Sequence, residues 1–179
     1  MVGIDSTFLG LMLHPKARAP IDPKTKKPID RLPDRIEKLL QDLDADGERI
    51  ILPTPVLSEF LILAGKDGPD YLAKIAALKT LMVKPFDEMA AVELAAIETA
   101  DRAAGDKRGG VASPWNKVKF DRQIVAISKV QGVSKIYSDD GDVSKFARKV
   151  GIEPVASWEL ALPSAKQVEL FDKEEEQKE

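Results

Sequence analysis

The chain has 179 residues, of which 44% are hydrophobic and 32% charged, so it is long enough for one well-packed domain and too short for two. It has no cysteine and only one histidine, which excludes disulfides, thiolate metal sites and histidine-rich zinc sites. Any bound metal must therefore have oxygen ligands, which favours Mg²⁺ or Mn²⁺. The net charge of −3 neither indicates nor excludes a nucleic-acid partner.

Neither a membrane span nor a secretory signal is visible in the sequence. No apolar run approaches the roughly 18 residues that a bilayer requires. Residues 1–5 (MVGID) contain neither a basic segment nor a cleavage site. Since the absence of cysteine also suits a reducing compartment, we expect a cytoplasmic protein.

The first half of the chain alternates short apolar runs with segments of helical spacing. Residues 2–5 are predicted to form a buried strand, and Ser6 and Thr7 to cap the turn after it. The segment 14–33 contains five prolines among basic residues, which predicts a loop outside the core. The pattern then predicts a helix over 34–43, a strand over 49–52, helices over 56–63 and 69–78, and a strand over 81–85.

The second half continues the alternation. An Ala- and Glu-rich helix is predicted over 87–104, followed by a basic loop over 105–119. The pattern then predicts a helix over 120–130, a strand over 135–138, a helix over 143–150 and an edge strand over 152–155. Such alternation predicts an α/β fold with a central, mostly parallel sheet flanked by helices. We expect one domain over 1–163 and a charged, disordered tail over 164–179.

Four acidic residues stand where predicted strands end or begin. Asp5 ends the first strand, Glu59 lies in the helix after the second, Asp121 opens a later helix, and Asp140 follows the strand after that helix. In an open parallel sheet the ligand crevice lies beyond the carboxyl ends of the strands, so we expect these acids to meet at one rim. Their mutual repulsion should require a divalent cation, and a pair of such ions about 3.5–4 Å apart can hold both reacting oxygens of a phosphodiester. The set therefore predicts a metal-dependent nuclease.

The segments around these acids resemble the four signature segments of PIN domains, in the right order. They are residues 2–9 (VGIDSTFL), 51–60 (ILPTPVLSEF), 120–126 (FDRQIVA) and 136–142 (IYSDDGD). The similarity is greatest to bacterial ribonuclease toxins of the VapC type and extends to about Val155. It implies a PIN-like three-layer sandwich and a Mg²⁺- or Mn²⁺-dependent endoribonuclease of a toxin–antitoxin system. The segments 14–33 and 105–119 depart from compact members of that group.

The resemblance also implies roles for individual residues. The family's four metal-binding, catalytic acids fall on Asp5, Glu59, Asp121 and Asp140, its active-site hydroxyl falls on Ser138, and an accessory metal-binding acid falls on Asp142. The alternative is that these acids are helix caps and ordinary surface residues. This structural interpretation applies most readily to Asp121, because the helix dipole favours acids near a helix start. For the neighbouring Asp139 the structural interpretation is favoured.

Basic residues close to Asp121 are candidates for holding substrate phosphates. They are Lys107, Arg108, Lys117, Lys119 and Arg122. The alternative is a solvated loop with scattered charge, which is the favoured interpretation of the basic residues between Lys16 and Arg31. Trp115 could stack on a base, but packing is favoured for it and for Trp158, and His14 is interpreted as a surface or capping residue.

Partners follow from resemblance alone. The toxin family implies an RNA substrate, an antitoxin that covers the acidic cleft, and a homodimer. Residues 167–171 (QVELF) resemble the short peptide with which bacterial proteins bind the DNA sliding clamp, although Leu170 and Phe171 could instead fold back onto the domain.

Two other functions stay open. The same metal site could act on DNA, as a flap or a single strand, or the chain could be a non-catalytic PIN-like module that binds other proteins. The presence of all four acids speaks against the second of these. A haloacid-dehalogenase-type phosphatase is excluded, because it needs an acid at the position of Thr7.

Overall fold

The structure is a computed structural model that describes residues 1–14 and 17–163. A five-stranded sheet lies at its centre, with the strands in the order β3-β2-β1-β4-β5 and every neighbouring pair parallel. The strands β1 to β5 are Val2–Ile4, Ile50–Pro53, Leu81–Lys84, Lys135–Tyr137 and Glu153–Val155. The predicted α/β fold with a parallel sheet is confirmed.

Seven α-helices and two short 3₁₀ turns connect and follow the strands in the described residues. The helices α1 to α7 are Ser6–Leu13, Leu32–Ala45, Thr54–Ala64, Gly68–Ala77, Glu88–Ala103, Trp115–Val130 and Gly141–Lys149. The 3₁₀ turns are Gly65–Asp67 and Ser157–Glu159. All residues of β1 and β2 are buried, so both faces of the central strands are covered, as a parallel sheet requires.

The strand order creates a crevice at the carboxyl edge of the sheet. From β1 the chain proceeds outward to β2 and β3, and it then returns to place β4 on the other side of β1. The order therefore reverses between β1 and β4, and ligands of open α/β sheets bind at such a switch point. Asp5 follows β1 and Asp140 lies shortly after β4, so both acids stand at this crevice.

The helix α6 begins at Trp115, whereas the sequence predicted a helix from residue 120. Pro114 occupies the N-cap position in extended conformation, which lets the helix start directly after it. Residues 115–119, predicted as the end of a basic loop, therefore form the first turns of α6. This change places Lys117 one turn before Asp121 on the same helix face.

The segment 14–33 also differs in part from its prediction. Ile21 and Pro28 form an isolated antiparallel bridge, and Ile29 and Leu32 are buried in the core. The prediction of a loop wholly outside the core is therefore wrong for its last residues. The helix α2 begins at Leu32, because Pro33 fits the first turn of a helix, where its missing N–H is not needed.

Some predictions lie outside the described residues. They are the disordered tail over 164–179, the clamp-binding peptide at 167–171, and any role of Lys16. Within the described residues, no helix combines the length and the apolar character needed to cross a bilayer.

Candidate metal site at the carboxyl edge of the sheet

The four acids predicted to converge line one cleft of about 430 Å³. Asp5 lies between β1 and α1, and Asp140 directly precedes α7. Asp121 projects from α6 and Glu59 from α3. The fold thus brings together acids that are far apart in the sequence, since their elements all end or begin at the same edge of the sheet.

Asp5 is almost completely buried and fixed at both carboxylate oxygens. Its Oδ1 accepts a hydrogen bond from the backbone N–H of Phe8 at 2.7 Å, so Asp5 caps α1, a role that the sequence assigned wrongly to Ser6 and Thr7. Its Oδ2 accepts a hydrogen bond from the Ser138 hydroxyl. Burial raises the pKa of Asp5 to about 7, although the hydrogen bonds from Ser138 and Phe8 act in the opposite direction.

Ser138 connects Asp5 with Asp140. Its side chain is buried, donates to Asp5 Oδ2, and accepts a hydrogen bond from the backbone N–H of Asp140 at 3.0 Å. Two acids from neighbouring strands are therefore held in a fixed relation by one hydroxyl. Ser138, predicted as an active-site hydroxyl, lies in contact with both.

Asp121, Asp140 and Asp142 form the tightest acidic group. One carboxylate oxygen from each lies within 4.8 Å of the other two, which is close enough for one metal ion to bind all three. Asp142, predicted as an accessory ligand, thus belongs to this group, whereas Asp5 and Glu59 line the same cleft outside it. Asp142 also accepts a hydrogen bond from the Ser113 hydroxyl.

The ammonium group of Lys117 lies among these three carboxylates. Its Nζ is 2.7 Å from Asp121 Oδ2, 2.9 Å from Asp140 Oδ2 and 3.2 Å from Asp142 Oδ2. The expectation that only a divalent ion could relieve the repulsion is therefore wrong. The earlier start of α6 explains the difference, because it places Lys117 on the helix face that carries Asp121.

The pKa values of this group reflect burial opposed by Lys117. Burial raises the pKa of Asp121 to about 6, although Lys117 opposes the shift. Burial would also raise the pKa of Asp140, but hydrogen bonds from Lys117 and from the backbone N–H groups of Val143 and Asp142 lower it overall. Burial disfavours the charged form of Lys117, but its hydrogen bonds to Asp121 and Asp140 outweigh that effect and raise its pKa.

Glu59 differs from the other acids of the cleft. It is exposed on α3, and its side chain forms no hydrogen bond or ion pair within the described part of the chain. It lines the cleft together with the neighbouring Ser58 and Ile62. The structure thus places Glu59 at the cleft as a solvated group and not within the acidic group around Lys117.

The predicted phosphate-binding residues divide into three classes. Lys107, Arg108 and Lys119 are exposed, and Lys107 lies 4.4 Å from the centre of the Trp115 ring. Lys117 binds the acidic group described above. Arg122 is only 1% exposed and forms ion pairs with Asp101 and Glu98, so the prediction that it holds a substrate phosphate is wrong.

The structure also decides between the alternatives for four other residues. Asp139 accepts hydrogen bonds from the backbone N–H and the hydroxyl of Ser157, which confirms its structural role. Trp115 and Trp158 are half-buried against the core, as expected for packing residues. His14 caps the C-terminus of α1 by donating its backbone N–H to the carbonyl of Gly10.

An apolar rim beside the acids was missed by the sequence analysis. Ile62, Leu63 and Phe120 line the cleft and are 76%, 77% and 56% exposed. The sequence contained an indication for Phe120, because its position does not lie on the face of α6 that buries Val118 and Val125. An aromatic side chain on the exposed face of a helix, next to a candidate metal ligand, indicates a contact other than core packing.

The chain matches no protein-family model and no curated protein sequence. Its fold is nevertheless similar to known structures. One is VapBC2 from Rickettsia felis bound to a DNA fragment from its promoter, at 14% identity and a TM-score of 0.56, covering 87% of this chain and 98% of that one. Another is DNA-bound VapBC from Salmonella typhimurium, at 15% identity and a TM-score of 0.55, covering 88% and 99%. The predicted PIN-like, VapC-type fold is confirmed.

Proposed function

We propose that the protein is a Mg²⁺- or Mn²⁺-dependent endoribonuclease of the VapC toxin kind. The observation that carries the proposal is that Asp121, Asp140 and Asp142 can share one ion, and that two of them, Asp121 and Asp140, line the same cleft as Asp5 and Glu59. Acids collected at a switch point of a parallel sheet are an arrangement suited to phosphodiester hydrolysis. The toxin role and the RNA substrate are further supported by the resemblance of the four sequence segments.

The chemistry of the donor groups fits a hard divalent ion. The candidate ligands are all carboxylate oxygens, and three of them already surround a cation, the ammonium of Lys117. Asp121, Asp140 and Asp142 would hold the ion, and the buried Asp5 and the exposed Glu59 line the same cleft. When bound, the ion would lower the pKa of a water molecule and neutralise charge on the scissile phosphate.

The protein holds these acids in fixed orientations. Asp140 Oδ1 accepts hydrogen bonds from the backbone N–H groups of Asp142 and Val143 at 2.7 and 3.1 Å, so its Oδ2 is left to face the cleft. Asp5 is fixed at both oxygens by Phe8 and Ser138. Such preorganisation avoids the reorganisation that mobile carboxylates would need before the reaction.

The surroundings of the acids suit a single-stranded substrate. An exposed aromatic ring such as Phe120 can stack on an unpaired base, and the exposed Lys119 on the same helix can bind a phosphate. The same features would serve a single DNA strand, so the preference for RNA rests on the resemblance. By the same resemblance we include an antitoxin partner, a homodimer and a cytoplasmic location in the proposal.

The test is cleavage of RNA and DNA oligonucleotides of identical sequence, with Mg²⁺, Mn²⁺ or EDTA. We expect metal-dependent cleavage of the RNA, and a loss of about 10²-fold or more in Asp5→Asn and Asp121→Asn, since Asp121 is a candidate ligand and Asp5 is a buried acid that lines the same cleft. Asp139→Asn is the matched control, because Asp139 is bound to Ser157. Preferential DNA cleavage would replace RNA with DNA in the proposal, and full activity of Asp5→Asn or in EDTA would refute the metal site.

A further inference from the structure

We infer that Lys117 is a built-in counter-ion that competes with the divalent metal for the carboxylates of Asp121, Asp140 and Asp142. The inference rests on the proposed function, because it concerns how the same acidic group is regulated. In the metal-free protein the ammonium group takes the role that the metal would otherwise have. The site can therefore remain folded without metal, and metal can bind only when Lys117 is displaced.

The contacts show that one set of oxygens serves both cations. Lys117 Nζ reaches the Oδ2 atoms of all three acids within 3.2 Å. These three acids are also the residues that can bind one ion together. An ion bound to them would lie within a few ångströms of the ammonium group, where like charges repel strongly in a partly buried site.

The balance of charge favours exchange of the lysine for a divalent ion. With the three carboxylates ionised, their charge of −3 is compensated by only one positive charge from Lys117, so the group keeps a net attraction for a doubly charged ion. The side chain of Lys117 is 39% exposed, which leaves its flexible stem a path to the solvent. A buried lysine would lack such a path.

A purely structural role for Lys117 makes a different prediction. If the lysine only crosslinked α6 to α7, its removal would loosen the three acids and weaken metal binding. If it competes with the metal, its removal strengthens metal binding and makes the metal-free protein less stable. The direction of the change in metal affinity therefore distinguishes the two roles.

The first test is calorimetric titration of the full chain with MnCl₂ alone. We expect Lys117→Gln to bind Mn²⁺ at least about tenfold more tightly than the wild type, which corresponds to about 1.4 kcal/mol. Lys119→Gln is the matched control, because it removes the same charge from the same helix at an exposed position, and it should change the dissociation constant less than twofold. Lys117→Arg keeps the charge and should not tighten binding.

The second test uses the wild type and does not depend on a variant that folds. Lys117 should react slowly with acetic anhydride in EDTA, because its amine is held by three carboxylates. Addition of Mg²⁺ should increase its labelling several-fold relative to Lys119, measured by mass spectrometry of the digested protein.

The outcomes separate this inference from the proposed function. Equal or weaker Mn²⁺ binding by Lys117→Gln, or unchanged labelling of Lys117 in saturating Mg²⁺, would overturn the competition while leaving the metal site intact. Absence of Mn²⁺ binding in the wild type together with tight binding in Lys117→Gln would support it. Absence of binding in both proteins would overturn the metal site and the competition together.

Discussion

Two basic residues on helix α6, Lys117 and Arg122, both bind acids, but their surroundings differ. Arg122 is 1% exposed, pairs with Asp101 and Glu98 on α5, and lies 5.2 Å from the ring centre of Phe146 on α7. Lys117 is 39% exposed and lies in the cleft among three carboxylates. A buried ion pair such as that of Arg122 fixes helices in place. The half-exposed ammonium group of Lys117, in contrast, can be replaced by another cation. The same charge therefore serves structure at one position and the candidate site at the other.

The largest expected effect is the loss of the buried arginine. Arg122→Met should lower the free energy of unfolding by about 3–5 kcal/mol, because Asp101 and Glu98 lose their buried partner. Arg102→Met is the matched control, since Arg102 is 54% exposed and its pair with Glu98 should contribute less than about 1 kcal/mol. Urea denaturation in EDTA measures the free energy of unfolding of both variants. If Arg122→Met loses no more stability than Arg102→Met, the structural role assigned to Arg122 is wrong.

The next effect concerns the cleft and follows from the raised pKa values of Asp5 and Asp121. Burial holds a proton on each group in the folded state at a pH where the unfolded chain has released it, since their pKa values are about 7 and about 6 against an ordinary 3.8. The folded state thus binds more protons between pH 4 and 7, so the unfolding free energy of the metal-free protein should fall by several kcal/mol as the pH rises through that window, since each unit of pKa difference contributes about 1.4 kcal/mol. Saturating Mn²⁺ should reverse the fall.

Thermal melts at pH 5 and pH 8, with EDTA or Mn²⁺, measure this dependence. In Asp5→Asn the contribution of Asp5 should vanish, so its metal-free stability should change less with pH than that of the wild type. A metal-free protein that becomes more stable between pH 5 and pH 7 would contradict the assignment of buried, protonated acids.

A smaller effect is expected at Gly109, which packs against the buried arginine. Gly109 has a φ of +66°, and a Cβ atom there would lie 2.6 Å from Asp101 Oδ2 and 2.9 Å from an Arg122 nitrogen. Gly109→Ala should therefore cost about 1–3 kcal/mol of stability, from backbone strain and overpacking together. Gly105→Ala isolates the strain, because Gly105 has a φ of +77° and nothing described lies within 4 Å of its Cβ position. Equal losses in the two variants would show that the arginine contact at Gly109 is unimportant.

Much of the fold could be predicted from local patterns. Val2–Ile4 and Ile50–Pro53 are buried on both faces, so every residue in them is apolar or small. Such continuous apolar runs can be recognised in the sequence without knowledge of distant residues. The convergence of Asp5 and Asp140 could also be predicted, because it follows from the general rule for the carboxyl ends of parallel strands. Both predictions depend only on local sequence patterns and on general rules for parallel sheets.

The remaining features depend on contacts that no local pattern contains. The burial of Arg122 requires Asp101, which lies on another helix, whereas the sequence analysis placed Arg122 among the candidates for holding substrate phosphates and made no prediction for Asp101. The position of Lys117 depends on whether Pro114 ends a loop or begins a helix, and proline is compatible with both. Glu59 lies in the expected helix, but its distance from the other acids is decided by the packing of α3 against the sheet.

The most direct test of the account is anomalous diffraction from a crystal soaked with MnCl₂. We predict a manganese peak bound by Asp121, Asp140 and Asp142, with the Lys117 side chain turned away from them. A peak bound by other residues, or no peak with Lys117 still among the three carboxylates at saturating Mn²⁺, would contradict it.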